Sequence, residues 1–431
     1  MAAETRVIKT DALARVEGEG ALHLKLKDGR AEEVRLSIYE PPRFFEGLLR
    51  GRRFDEAPDI TARICGICPV AYQTSAMLAM EDAAGVEVPA SIRALRRLLY
   101  CGEWLQSHAL HIFLLHAPDF FGLDDGFALA EREGEVVRRG LAIKRVGNAI
   151  MEVVGGRAVH PVNPRVGGFY AVPTRAALDR LRPQLEEARA AALATLAWTA
   201  SLDVPELERD VAFLAVHDPE GYAIDRGTLH ASTGAAFSAR EWDDHVVEHQ
   251  VAHSSALHAT LDGAAPYLTG PLARWALNGA QLPDWLKAAA AEASLAMPCR
   301  NSFASIKVRA IEMAWAADEA LRLIDAYSPP AAPFVEVEPR DARGFGVSEA
   351  PRGALHHGYA IDGEGLISHA RIVPPTSQNQ AAIEADLAVT AEANTALDDA
   401  ALGWRLEQAI RNHDPCISCA AHFLTVTVER G

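Results

Sequence analysis

Two Cys-x-x-Cys pairs stand near opposite ends of the chain, Cys65 and Cys68 in Arg63-Ile-Cys-Gly-Ile-Cys-Pro69, and Cys416 and Cys419 in Asp414-Pro-Cys-Ile-Ser-Cys-Ala-Ala-His422. Each pair can present both sulfurs to one ion, so a shared four-thiolate centre requires a fold that closes over most of the chain. Structural zinc, an iron-sulfur cluster and nickel all accept such ligands, and spacing does not separate them. A zinc knuckle usually closes locally and a redox pair needs only one copy. Separation and duplication therefore favour a single shared centre over structural zinc.

The rest of the composition narrows the setting. A chain of 431 residues with 49% hydrophobic content can bury a large core. A formal charge of -16 without a basic run argues against nucleic acid as a partner. Only six cysteines occur, four of them in the pairs, which fits a reducing compartment better than a disulfide framework. Cys101 and Cys299 read as small buried apolar residues. Neither a signal sequence nor an 18-residue apolar run is present, so the expectation is a cytoplasmic protein with no direct membrane insertion.

Periodicity predicts an α+β fold, predominantly helical. Leu22, Leu24 and Leu26, then Val34, Leu36 and Ile38, alternate around Asp28-Gly29 and predict a β-hairpin over 21–39. A helix follows from Thr74, placing Cys68 just before a helix start whose partial positive charge favours thiolate. Helices are expected over 91–116, 175–201, 239–261, 283–296, 305–327 and 397–411, a loop over 335–348, and a second hairpin, 354–359 with 366–373, around Asp362-Gly-Glu-Gly365. Phe423–Val428 reads as a short β-like tail. On the helix over 91–116, His108 and His111 read as packing or hydrogen-bonding side chains. His245, His249 and His253 fall four apart, on a solvated face of the helix over 239–261.

Both cysteine motifs, in this order, resemble the large catalytic subunit of nickel-iron hydrogenases, with matches running from Arg15 to His422. The resemblance implies that subunit's fold, with a central helical bundle and small peripheral β-hairpins, in a single catalytic domain over 1–422. It implies Cys65 and Cys416 as terminal nickel ligands, and Cys68 and Cys419 as bridges to an iron that carries cyanide and carbon monoxide. Glu17, in Arg15-Val-Glu-Gly18, corresponds to a proton-transfer carboxylate beside a terminal cysteine. Glu46, His422 and the Ile372 carbonyl correspond to ligands of a magnesium ion. Arg352 and Pro351, in Glu349-Ala-Pro-Arg-Gly-Ala-Leu355, correspond to an arginine that donates to one cyanide and a proline that walls the cavity. Thr376 would donate to the other cyanide, and Asp414 would orient Arg352.

The activity implied is reversible H2 oxidation, with the Cys416 thiolate as base, Glu17 as the next proton acceptor and Arg352 as a competing base. Four cysteines leave none for iron-sulfur clusters, so a cluster-bearing small subunit is expected as partner. The wording of the motifs leans toward NAD(P)-linked or sulfhydrogenase-like members, in which further flavin, NAD(P) or other electron-transfer subunits assemble. Residues 423–431 correspond to a C-terminal extension removed by a maturation protease after nickel-insertion factors have acted. Departures from the family pattern are Glu19, where a histidine is frequent, Tyr72, where many members have histidine, and Ser107, where some have aspartate. The rival readings are a nickel-free subunit like those of respiratory complexes and a zinc-stapled scaffold.

Overall fold

Ile92, Leu95, Leu98, Leu99 and Leu105 recur on one stripe, and the segment Ala90–Leu110 folds as a helix that buries it. The computed structural model describes residues 5–40, 44–263 and 265–422. Four long helices, Ala90–Leu110, Gly134–Gly155, Arg182–Ala200 and Ser305–Ala326, each pack on two of the others and close a central bundle. Gly102 and Gly147 allow the first two to touch backbone to backbone. A Cβ at Gly147 would sit 2.5 Å from the Gly102 carbonyl oxygen.

Small sheets surround the bundle. Gly20–Lys27 and Arg30–Ile38 form the expected hairpin, with Asp28 and Gly29 both at positive φ as a two-residue type I′ loop demands. Thr5–Thr10, which carries no clear alternation signal, adds a third antiparallel strand. Leu22, Leu24, Leu26 and Leu36 pack from this sheet onto Ile383, Leu387, Leu402 and Leu406 of the helices Pro375–Ala393 and Asp399–Asn412. A second antiparallel sheet joins Ala342–Ala350, Gly353–Ile361 and Ile367–Val373 and lies on the helix Pro69–Ala84.

Three expectations need correction. The segment expected as a loop over 335–348 supplies the strand Ala342–Ala350. Its Gly344 and Gly346 look like loop punctuation, but a Cβ at Gly344 would fall onto the Ala79 carbonyl of the neighbouring helix, so contact requires glycine there. The helix expected over 239–261 is absent. A turn and the short helix Trp242–His245 lead instead into the hairpin Val246–His249 with His258–Leu261, because the β-branched Val246-Val247 pair prefers the pleated sheet. Of the histidines spaced four apart, His245 thus ends the short helix, His249 ends a strand and His253 lies in the hairpin loop. The segment expected as one helix over 175–201 breaks into Arg175–Asp179 and Arg182–Ala200. Residues 423–428, read as a β-like tail, lie outside the described residues.

Among the described residues no helix is long and apolar enough to cross a membrane. Cys101 and Cys299 are buried, and burial pushes both thiols up, as expected of inert core cysteines.

Candidate metal centre

The first cysteine pair lies where the chain enters the helix Pro69–Ala84, with Cys68 as its N-cap and Pro69 in the first helical position. The second pair follows the C-terminus of the helix Asp399–Asn412, where Asp414 takes φ 50° and turns the chain inward. The carbonyl of Glu17 accepts the Ile417 amide at 2.8 Å, and Glu17 pairs with Cys416 in a parallel bridge. Backbone pairing thereby ties the N-terminal segment to the C-terminal one.

All four sulfurs are at most 8% exposed and lie within 4.8 Å of one another. Cys65 and Cys416 are 3.4 Å apart, Cys68 and Cys419 3.8 Å, and Cys416 and Cys419 2.7 Å. Metal–sulfur bonds of about 2.3 Å bring two ligands of one ion within about 4.6 Å, so this spacing suits one small metal centre. Burial pushes the Cys416 and Cys419 thiols up, whereas hydrogen bonds from Cys416, Cys419 and Cys68 hold Cys65 well below an ordinary thiol. A cation bound between the sulfurs favours the thiolate form of all four. The donor set therefore fits a thiophilic metal such as nickel.

Polar groups close around the sulfurs. A Glu17 carboxylate oxygen lies 3.1 Å from Cys416 Sγ and accepts the Ser418 amide at 3.1 Å. Arg352 is 2% exposed, donates from Nε to the Asp414 carbonyl at 2.8 Å and from Nη2 to the Asp414 carboxylate at 3.1 Å. Its Nη1 has no partner among the described residues. Burial alone would weaken this guanidinium's proton affinity, but Asp414 and the Cys416 and Cys68 sulfurs outweigh it and hold the group charged. The Thr376 hydroxyl accepts the Cys416 amide at 3.0 Å, which leaves its own proton to donate. Pro351 is held through its carbonyl by Arg274 Nη2 at 3.0 Å.

Glu46, Ile372 and His422 also converge. One Glu46 oxygen accepts the Ile372 amide at 2.8 Å, and the other lies 3.2 Å from His422 Nε2. They line a cavity of about 30 Å³ with Pro374, Ser418 and Cys419, room enough for an ion or a water molecule.

A family model described as nickel-dependent hydrogenase matches residues 43–130 and 265–422, which include both cysteine pairs. Sulfhydrogenase 1 subunit alpha of Pyrococcus furiosus is 34% identical over 423 residues, spanning 97% of this chain and 98% of that one. The chain belongs to the nickel-dependent hydrogenase family. A second relative, sulfhydrogenase 2 subunit alpha of the same organism, is 31% identical over 97% of this chain and 99% of its own. The fold superposes on an NAD+-reducing [NiFe]-hydrogenase solved in the H2-reduced state with TM-score 0.88, 28% identity and coverage of 97% of this chain and 99% of that chain. This is the catalytic large subunit of a nickel-iron hydrogenase, an oxidoreductase acting on H2, and large subunits of this kind pair with a small subunit. The zinc-stapled scaffold and the nickel-free subunit find no support in this family.

Several polar groups around the hydrogenase centre escape a motif reading. Glu103 is fully buried and accepts the Val70 and Ala71 amides at 2.6 and 3.1 Å, so the first free amides of the helix Pro69–Ala84 go to this carboxylate and not to a sulfur. A lone acid within the apolar run Tyr100-Cys-Gly-Glu-Trp-Leu105 was its only trace in the sequence. Arg274 binds Glu312 through two bonds of 2.6 and 2.8 Å and Glu349 at 2.9 Å, and so braces the segment that presents Arg352. Burial opposes ionisation of Glu312, yet Arg274 pulls its pKa down to about 2. His108 Nε2 lies 2.9 Å from Glu312, and burial lowers its pKa to about 4; His111 Nε2 meets the Arg411 carbonyl at 2.7 Å. Both are packing histidines, as read from sequence. Tyr72 and Ser107 are buried, and their hydroxyls have no hydrogen-bond partner among the described residues.

Proposed function

We propose that Cys65, Cys68, Cys416 and Cys419 hold the nickel-iron pair, with Cys65 and Cys416 terminal on nickel and Cys68 and Cys419 bridging to iron. The observation that carries this reading is the cluster of four buried sulfurs with the Glu17 carboxylate 3.1 Å from Cys416. When bound, the metal pair supplies a Lewis-acidic site at which H2 is polarised for heterolytic cleavage. The Cys416 thiolate takes the proton and passes it to Glu17. Ser418, whose amide Glu17 holds, donates its hydroxyl to Glu40 at 3.2 Å, which offers the next polar step outward. Arg352, with one free Nη1 and a fixed guanidinium plane, suits a cyanide on the iron, and the free Thr376 proton suits the other. Pro351 walls the site, and Asp414 orients Arg352. A magnesium ion fits between Glu46, His422 and the Ile372 carbonyl, since the Glu46–His422 contact already gathers two donors over a small cavity.

Two relatives and one solved structure extend the proposal. Likeness to sulfhydrogenase alpha subunits and to an NAD+-reducing enzyme supports a cytoplasmic, NAD(P)-linked or sulfhydrogenase-like complex. In it this chain passes electrons to an iron-sulfur small subunit and onward to flavin or NAD(P) subunits. Residues 1–422 form the catalytic domain, and residues 423–431 are the extension removed by a protease once nickel-insertion factors have loaded the site.

Glu17→Gln tests the proton path. The amide keeps the size of the side chain but cannot carry the proton. H/D exchange and turnover should fall by roughly 10²–10⁴-fold, the scale of a general acid–base group, while nickel and iron contents stay at wild-type levels. Loss of nickel from this variant would make Glu17 a structural residue instead.

A further inference from the structure

Away from the cysteine centre, a second group of ligand-type side chains converges where the hairpin Val246–His249 with His258–Leu261 meets the helix Pro375–Ala393. Ligand atoms of His253, His258 and Glu384 all lie within 4.8 Å of one another. His253 Nε2 is 2.8 Å from Glu384 Oε1, and the same oxygen accepts the Leu36 amide at 2.8 Å, which fixes the carboxylate. His258 is only 4% exposed, yet its Nε2 has no partner among the described residues. A buried imidazole nitrogen without a bond is costly unless something absent from the protein itself satisfies it. Burial lowers the His258 pKa to about 4, so its lone pair is available at neutral pH.

We propose that His253, His258 and Glu384 form a second metal site of this chain that takes Zn2+. Two imidazoles and one carboxylate are a donor set that zinc accepts, with a fourth position left open. His249 stands directly opposite His258 in the antiparallel register, its ring centroid 5.9 Å away. Closing the three ligand atoms to the separations of one tetrahedral ion requires small shifts of His253, which sits on the loop.

The site's placement defines its role. The loop that carries His253 clasps the cysteine-bearing segment, because the Ser255 carbonyl accepts the His422 amide at 3.0 Å and Ala256 bridges to Ala421. The same loop holds the edge of the N-terminal sheet, with the Ser255 amide donating to the Ile38 carbonyl at 2.7 Å. Glu384 rides on the helix whose first turn carries Thr376. A zinc ion here pins loop, sheet and helix together behind the second cysteine pair. It takes no part in the chemistry of H2, and its ligands are independent of the metal that the cysteines bind.

The test is metal analysis of the purified full-length protein after dialysis against metal-free buffer, with zinc-edge X-ray absorption on the same sample. One zinc per chain is expected, ringed by nitrogen and oxygen at about 2.0–2.1 Å with no sulfur. Both His258→Gln and Glu384→Gln should weaken zinc retention by roughly 10- to 100-fold and leave nickel content unchanged. If one variant does not fold, the other and a Zn2+ titration of the wild-type protein decide. Absence of zinc with no uptake on titration, sulfur around the zinc, or equal retention in the variants would each overturn the proposal.

Discussion

At Asp414 the backbone adopts φ 50°, a left-handed turn that a non-glycine residue takes only at a cost, and the carboxylate pairs with Arg352 where both side chains are 2% exposed. Replacement by alanine keeps the backbone carbonyl bond but leaves a buried guanidinium without its carboxylate partner. Asp414→Ala should lower the unfolding free energy by about 3–5 kcal/mol, read by denaturant unfolding, and an unchanged midpoint would show that the pair is not what holds this turn. Residues inside short, specific motifs were legible in the sequence: the structure gathers Glu17, Arg352, Thr376 and Asp414 around the cysteines, and Glu46, Ile372 and His422 beside them. Glu103, Arg274 and Glu312 were not. Their partners are distant in sequence and the ion pairs form only after folding, so no local pattern announces them.

At the scale of elements, amphipathic stripes made the Ala90–Leu110 and Ser305–Ala326 helices visible, and the Asp28-Gly29 turn made the first hairpin visible. The Pro375–Ala393 helix had no such stripe, because its polar Gln378, Asn379 and Gln380 are buried. Gly134–Gly155 does carry a stripe, through Val136, Ile143, Val146, Ile150 and Val154, interrupted by Gly140 and Gly147, which serve close packing. That packing is testable: in Gly147→Ala the added methyl meets the Gly102 carbonyl and the Gln106 amide, at 2.5 and 2.7 Å. Forcing the helices apart should cost about 1–3 kcal/mol of stability, measured by denaturant unfolding. Wild-type stability would show that the bundle yields without strain.

Across the whole molecule, the cysteine motifs sit at the two ends of the chain and meet in its core, among the residues of the main hydrophobic cluster. In the proposed sequence of maturation, residues 423–431 are removed after metal loading. The intact mass of active protein should correspond to a chain ending at His422, and full activity in a chain of 431 residues would remove the processing step. Locally encoded strands and helices thus assemble a site whose metal cannot be inferred from cysteine spacing alone. The infrared spectrum of the purified complex tests that site most directly. Cyanide and carbon monoxide stretching bands that shift between H2-reduced and oxidised samples, with one nickel per chain, are the predicted result. A spectrum without those bands, from protein whose cysteines hold zinc alone, would contradict the assignment.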